Sequence, residues 1–140
     1  MKFRVVVSII SLMAILFSSC KKEDDSEPAI IFKLSGKYSL TNVSGGLQGA
    51  NVSFSKSEIQ WAFDTINNIV TVVNGIHGAD SRHPYSDLPT GSYSFTLQPQ
   101  SPNKLLFIKG RRRGPITFST TGFILDSGVA VDGFYLTFER

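Results

Sequence analysis

Three consecutive arginines, Arg111, Arg112 and Arg113, stand between Gly110 and Gly114. Guanidinium groups grip phosphate, sulfate and carboxylate bidentately, so a hairpin tip over 110–114 carrying all three is a candidate anion-binding site. Its simpler role is a solvated turn that discourages edge pairing. His77, Asp80 and His83 recur at three-residue intervals in a loop flanked by Gly and Pro, and two imidazoles with a carboxylate are a usable zinc set. A loop does not fix three ligands as a strand or helix would, and no cysteine joins them, so no metal is expected. Asp126-Ser127-Gly128 and Asp132-Gly133 have the composition of turns, which use Asp and Gly for positive φ and local hydrogen bonds, before that of calcium loops. For hydrolysis there is no Gly-x-Ser-x-Gly elbow, and both histidines lie in one loop, leaving little choice of general base. Spacing alone brings no two carboxylates, Glu58 and Asp64 included, into one acid-base pair. No enzymatic activity and no cofactor are expected.

The remaining reactive side chain is Cys20, the one cysteine of the chain. Ahead of it come Lys2 and Arg4, an apolar run over 5–17 broken only by Ser8 and Ser11, and the small residues Ser18 and Ser19. That is the three-part layout of a secretory signal peptide. The run is shorter than the roughly 20 residues that cross a bilayer core, so cleavage is expected over retention. An exported chain with a single cysteine has no internal disulfide partner. Leu16-Phe17-Ser18-Ser19-Cys20 resembles a bacterial lipobox, which implies cleavage before Cys20 and acylation of its thiol. Cys20 is followed by Lys21, Lys22, Glu23, Asp24 and Asp25, similar to the signal that sends lipoproteins of Bacteroidota to the outer face of the outer membrane. The resemblance implies a lipid-anchored protein of the outer membrane, exposed at the cell surface, with the membrane as partner through Cys20. The polar stretch that ends at Pro28 is too charged to join a core and reads as a tether with a reach on the order of 17 Å. Residues 1–19 are thus read as signal, 20–33 as lipidated cysteine and tether, and 34–140 as the folded domain.

The chain's 140 residues, with 41% hydrophobic and 18% charged positions, suffice for one small domain with a core. Loss of Lys2 and Arg4 with the signal leaves twelve basic and eleven acidic residues, a net charge of +1. A broad basic face, and with it nucleic-acid binding, is not expected.

The candidate residues must then be positioned by strands. From Gly36 onward, short stretches alternate apolar and polar residues with period two between Gly, Asn, Asp, Pro and Ser. The expected strands cover 37–43, 58–64, 68–74, 92–98, 104–109, 116–119, 122–126 and 133–139. Ile59, Trp61 and Phe63 share one face, as do Tyr93, Phe95 and Leu97 against Ser92, Ser94 and Thr96. Only 44–57 and 75–90 are long connections. Short hairpin links favour an all-β fold, a single antiparallel eight-stranded meander closing into a barrel.

Gly36-Lys37-Tyr38, Ile59-Gln60-Trp61-Ala62-Phe63-Asp64 with Val70-Thr71-Val72, Gly91-Ser92-Tyr93-Ser94-Phe95 and the ending Asp132-Gly133-Phe134-Tyr135-Leu136-Thr137-Phe138-Glu139-Arg140 together resemble the lipocalin-like lipoproteins of Bacteroidota. The similarity spans residues 34–140 and implies an eight-stranded calycin-type barrel. Tyr38 stands where the first-strand Gly-x-Trp of true lipocalins would have tryptophan.

An eight-stranded barrel is just wide enough to be filled by side chains or to hold one small ligand. Ile59, Trp61, Phe63, Tyr93, Phe95, Phe107, Phe118, Phe123, Phe134 and Phe138 are expected to point inward and fill it. The barrel is then a scaffold, with binding on loops 44–57 and 75–90 and on the arginine hairpin, where an acidic glycan or lipid headgroup is the matching partner. The competing expectation is a carrier of a small hydrophobic ligand.

Overall fold

The computed structural model describes residues 34–140, and within them period-two alternation sets which side chains form the interior. The strands are β1 (Gly36–Gly45), β2 (Ala50–Ser53), β3 (Ile59–Asp64), β4 (Ile69–Asn74), β5 (Gly91–Gln100), β6 (Asn103–Ile108), β7 (Arg111–Phe118), β8 (Gly122–Ser127) and β9 (Phe134–Glu139). Two single turns of 3₁₀ helix, His83–Tyr85 and Val129–Val131, lie in the β4–β5 and β8–β9 connections. All strand pairings are antiparallel, and β9 returns to pair with β1. The result is the expected closed eight-stranded barrel of lipocalin-like layout, with β2 as an additional strand.

The sequence predicts a loop over 44–57, and within it the structure forms β2. Its four residues pair with Asn42–Gly45 on the same edge of β1 whose first four residues pair with β3. A segment this short, with Asn51 and Ser53 exposed, carries little apolar alternation of its own; the free half-edge of β1 is what makes it a strand.

In β1 the inward phase shifts from Tyr38 and Leu40 to Val43, because a bulge at Thr41 adds one residue opposite β9. The interior is aromatic and filled. Trp61, Tyr38, Phe123 and Phe138 are essentially inaccessible, with Phe63 and Phe95 beside them. Phe123 stacks on Phe138 at 4.6 Å between ring centroids, meets Tyr38 edge-on at 4.9 Å, and Trp61 lies 4.7 Å from Phe138.

Three members of the expected core behave differently. Phe118 and Phe134 are only partly buried and pack against its margin. Phe107 faces away from the interior, and Leu106 and Ile108 are buried instead. Leu105 to Ile108 are apolar on both faces, so alternation does not choose between them. The β5–β6 register does: Phe95 opposes Ile108 and Leu97 opposes Leu106, which leaves Phe107 opposite the outward Thr96.

The chain enters the barrel at Leu34, which is fully buried. There the Arg140 guanidinium lies over the Tyr38 ring at 5.1 Å and donates to the Tyr38 hydroxyl at 2.8 Å. This is the near end of the barrel. The far end gathers turn 46–49, loop 75–90, the Lys109-Gly110 turn and connection 128–133.

Candidate functional site

The far end is built around loop 75–90, which folds back over the barrel mouth because its ends are stapled by one buried side chain. The Asn74 amide donates to the Ser86 and Leu88 carbonyls at 3.2 and 2.9 Å, and its oxygen accepts from the Ile76 amide at 2.9 Å. Thr90 Oγ1 accepts from the Asn74 backbone N–H and donates to the Asn74 backbone carbonyl. Ile76 is buried, the Tyr93 hydroxyl donates to the Pro89 carbonyl, and Tyr85 meets Phe134 edge-on at 5.7 Å.

Two ionic contacts clamp this lid to the strands. Arg82 donates both terminal nitrogens to Glu58 at 2.9 Å, holds Asp80 through Nε and Nη2, and lies 5.4 Å from the centre of the Phe54 ring. The hydrogen bonds from Arg82 hold the Glu58 and Asp80 carboxyls below their ordinary range, and the Arg82 guanidinium is raised in return, chiefly by Asp80. Asp87, at the other side of the lid, is bound by Arg113.

The three arginines therefore have two fates. The β6–β7 turn is the two residues Lys109 and Gly110, both at positive φ, as a tight hairpin requires. The expected turn over 110–114 is thus corrected: Arg111, Arg112 and Arg113 begin strand β7. Arg111 opposes Ile108 and Arg112 opposes Phe107, so the two leave the strand on opposite faces. Both are exposed and make no ion pair among the described residues. A bulge between Leu106 and Phe107 leaves Arg113 without a cross-strand partner. Gly114 follows at φ 139°, where a Cβ would fall 1.7 Å from the Asp126 carbonyl. Bulge and glycine together bring β7 onto β8 and release Arg113 to reach the lid. One anion gripped by all three guanidinium groups is not what this arrangement offers.

His77 and His83 are exposed and line one open cleft of about 500 Å³ together with Asp87. Asp80, the expected third member, is occupied by Arg82, and among the described residues no three His, Cys, Asp or Glu side chains gather as a metal set. Asp126 accepts from the Gly128 amide at 2.9 Å, and Asp132 accepts from the Leu47 amide across to turn 46–49. These two aspartates do turn chemistry. A second open cleft, about 460 Å³, runs between Arg112 and Pro115 on one wall and Ala130 and Val131 on the other. A third, about 230 Å³, lies between Leu47, Tyr85 and Phe134. Trp61, Phe123 and Phe138 line none of the three.

Arg82 and Asp87 have no place in the sequence reading, and Glu58 enters it only as a carboxylate considered beside Asp64. Arg82 is 24 residues from Glu58, and Arg113 is 26 from Asp87; no local pattern signals such pairs. Cys20 and Lys21 to Asp25 lie outside the described residues. No helix among the described residues is long and apolar enough to cross a membrane. Compared with known proteins, the chain matches no family model, no curated protein and no solved structure.

Proposed function

We propose that this chain is a lipoprotein held at the outer membrane by an acylated Cys20 and exported to the cell surface by the Lys21–Asp25 run. Its barrel is a non-enzymatic scaffold for binding by the far-end loops. One observation carries the reading. The interior is filled by aromatic side chains, while loop 75–90, turn 46–49 and the arginine strand meet at the end opposite Leu34, the residue to which the proposed tether leads. A tether at one end and recognition loops at the other is the layout a surface-displayed binding module needs. One acyl chain, at about 0.8 kcal/mol per buried methylene, holds a protein only marginally; the two or three of a lipoprotein hold it stably.

Labelling cells with palmitate tests the anchor: wild type takes up label and Cys20→Ala does not, and label on the variant refutes acylation at this position. Protease shaving of intact cells, with and without alanine at positions 21–25, tests surface export; unchanged exposure reduces the run to a linker. Solvent extraction of the purified protein followed by mass spectrometry tests the scaffold against the ligand carrier. A stoichiometric apolar metabolite overturns the scaffold.

A further inference from the structure

Once Arg113 is committed to Asp87, the charge left at the β6–β7 tip is Lys109, Arg111 and Arg112, three exposed cations within four residues. Lys109 keeps its ammonium 4.5 Å from the centre of the Tyr93 ring, an attraction that orients the charge without neutralising it. Arg111 and Arg112 project from opposite faces of the strand. Charges spread over both sides of a tip do not converge on one small anion; they match a polymer that carries repeated anionic groups.

The neighbouring cleft supports the same assignment. Its walls present Pro115, Ala130 and Val131, with Val131 83% exposed, and Arg112 shares the same lining. Arg113 and Asp126 line the cleft as well, and with Arg113 held by Asp87 the cation the cleft leaves for an anionic group is Arg112. An apolar strip next to a cationic rim suits a sugar ring, whose C–H face rests on aliphatic carbon while its charged substituent reaches arginine. The tip also lies on the end opposite Leu34, away from the membrane that an anchor at Cys20 would use.

We infer that Lys109, Arg111 and Arg112, with the Pro115–Val131 cleft, form a binding site for an acidic polysaccharide and not for the headgroups of the anchoring membrane. The choice of polysaccharide over headgroup rests on the anchor proposed above.

Dextran sulfate serves as the probe, with neutral dextran as the blank, and the full chain is assayed in mild detergent. A cation near an anionic surface is worth about fivefold in affinity, less with screening, so Arg111→Ala/Arg112→Ala should weaken binding on the order of tenfold at low salt. Adding Lys109→Ala should weaken it further, and Arg111→Lys/Arg112→Lys should restore part of the loss. Lys37→Ala removes an equal charge from an exposed near-end position and should change nothing. An equal loss in Lys37→Ala, or none in the arginine pair, overturns the site. These residues are exposed, so unchanged melting temperatures separate lost binding from lost folding. Tighter binding to phosphatidylglycerol-containing vesicles than to dextran sulfate overturns the polysaccharide in favour of a headgroup. Failed palmitate labelling with dextran sulfate binding intact refutes the anchor and leaves the anion site standing; the converse leaves the anchor and refutes the site.

Discussion

Phe123→Ala and Phe107→Ala remove the same atoms from two phenylalanines that the sequence alone would place together in the core. Phe123 has no accessible surface and touches Tyr38, Phe63, Phe118 and Phe138 at centroid distances from 4.6 to 6.3 Å. Its truncation should cost about 3 to 5 kcal/mol, the upper part applying because ring pairs add to simple burial. Phe107 is half-buried on the outer face opposite Thr96, and its truncation should cost about 1 kcal/mol. A domain of this size is stable by about 5 to 15 kcal/mol, so the first variant loses a large share and stays measurable. Urea unfolding followed by Trp61 fluorescence is the assay. With a urea slope of about 2 kcal/mol/M, Phe123→Ala should lower the midpoint by about 2 M and Phe107→Ala by about 0.5 M. The cavity left by Phe123 is walled by apolar rings, so benzene should raise the melting temperature of that variant and not of wild type. Equal costs at the two positions, or a larger cost at Phe107, would refute both the β6 register and the filled interior.

Two further outcomes follow from the far end. The Glu58 and Asp80 carboxyls are held below their ordinary values of 4.5 and 3.8 by hydrogen bonds from Arg82. The stability they lend the lid is therefore complete above those values and lost as pH falls through the lowered ones. Amide protection over 75–90, corrected for intrinsic exchange, should hold steady from about pH 7 to about pH 5 and fall toward about pH 3, a step that Arg82→Gln abolishes. Identical protection at both extremes, with wild-type behaviour in the variant, would sink the clamp. Gly114→Ala should prevent native folding or open the β7–β8 pairing, since its Cβ would meet the Asp126 carbonyl at 1.7 Å on a backbone with φ 139°. Wild-type circular dichroism and melting in that variant would count against the close approach.

What the sequence settled by itself is the part encoded locally. Alternation in Ile59-Gln60-Trp61-Ala62-Phe63 and in Tyr93-Ser94-Phe95-Thr96 decided both the strands and their inward faces, because a half-buried strand needs only its own period-two pattern to orient. Short links bounded by Gly, Asn and Pro made the meander legible, whereas the proposed export rests on the sequence at Lys2, 5–17 and Cys20 alone, outside the described residues. The tertiary structure decided everything that depends on a partner distant in the chain. Phe107 turned outward because β5 fixes the β6 register where both faces are apolar. β2 exists because half an edge of β1 is free to pair. Arg113 left the arginine triplet for Asp87 because a bulge and Gly114 redirected it, whereas Arg111 and Arg112 kept their exposure. Glu58 and Arg82 met because loop 75–90 folds across the mouth. Period and turn composition are properties of neighbouring residues, but an ion pair 24 residues long in sequence is a property of the β3–β4 hairpin and of the loop that folds back onto it, which together bring it within 3 Å.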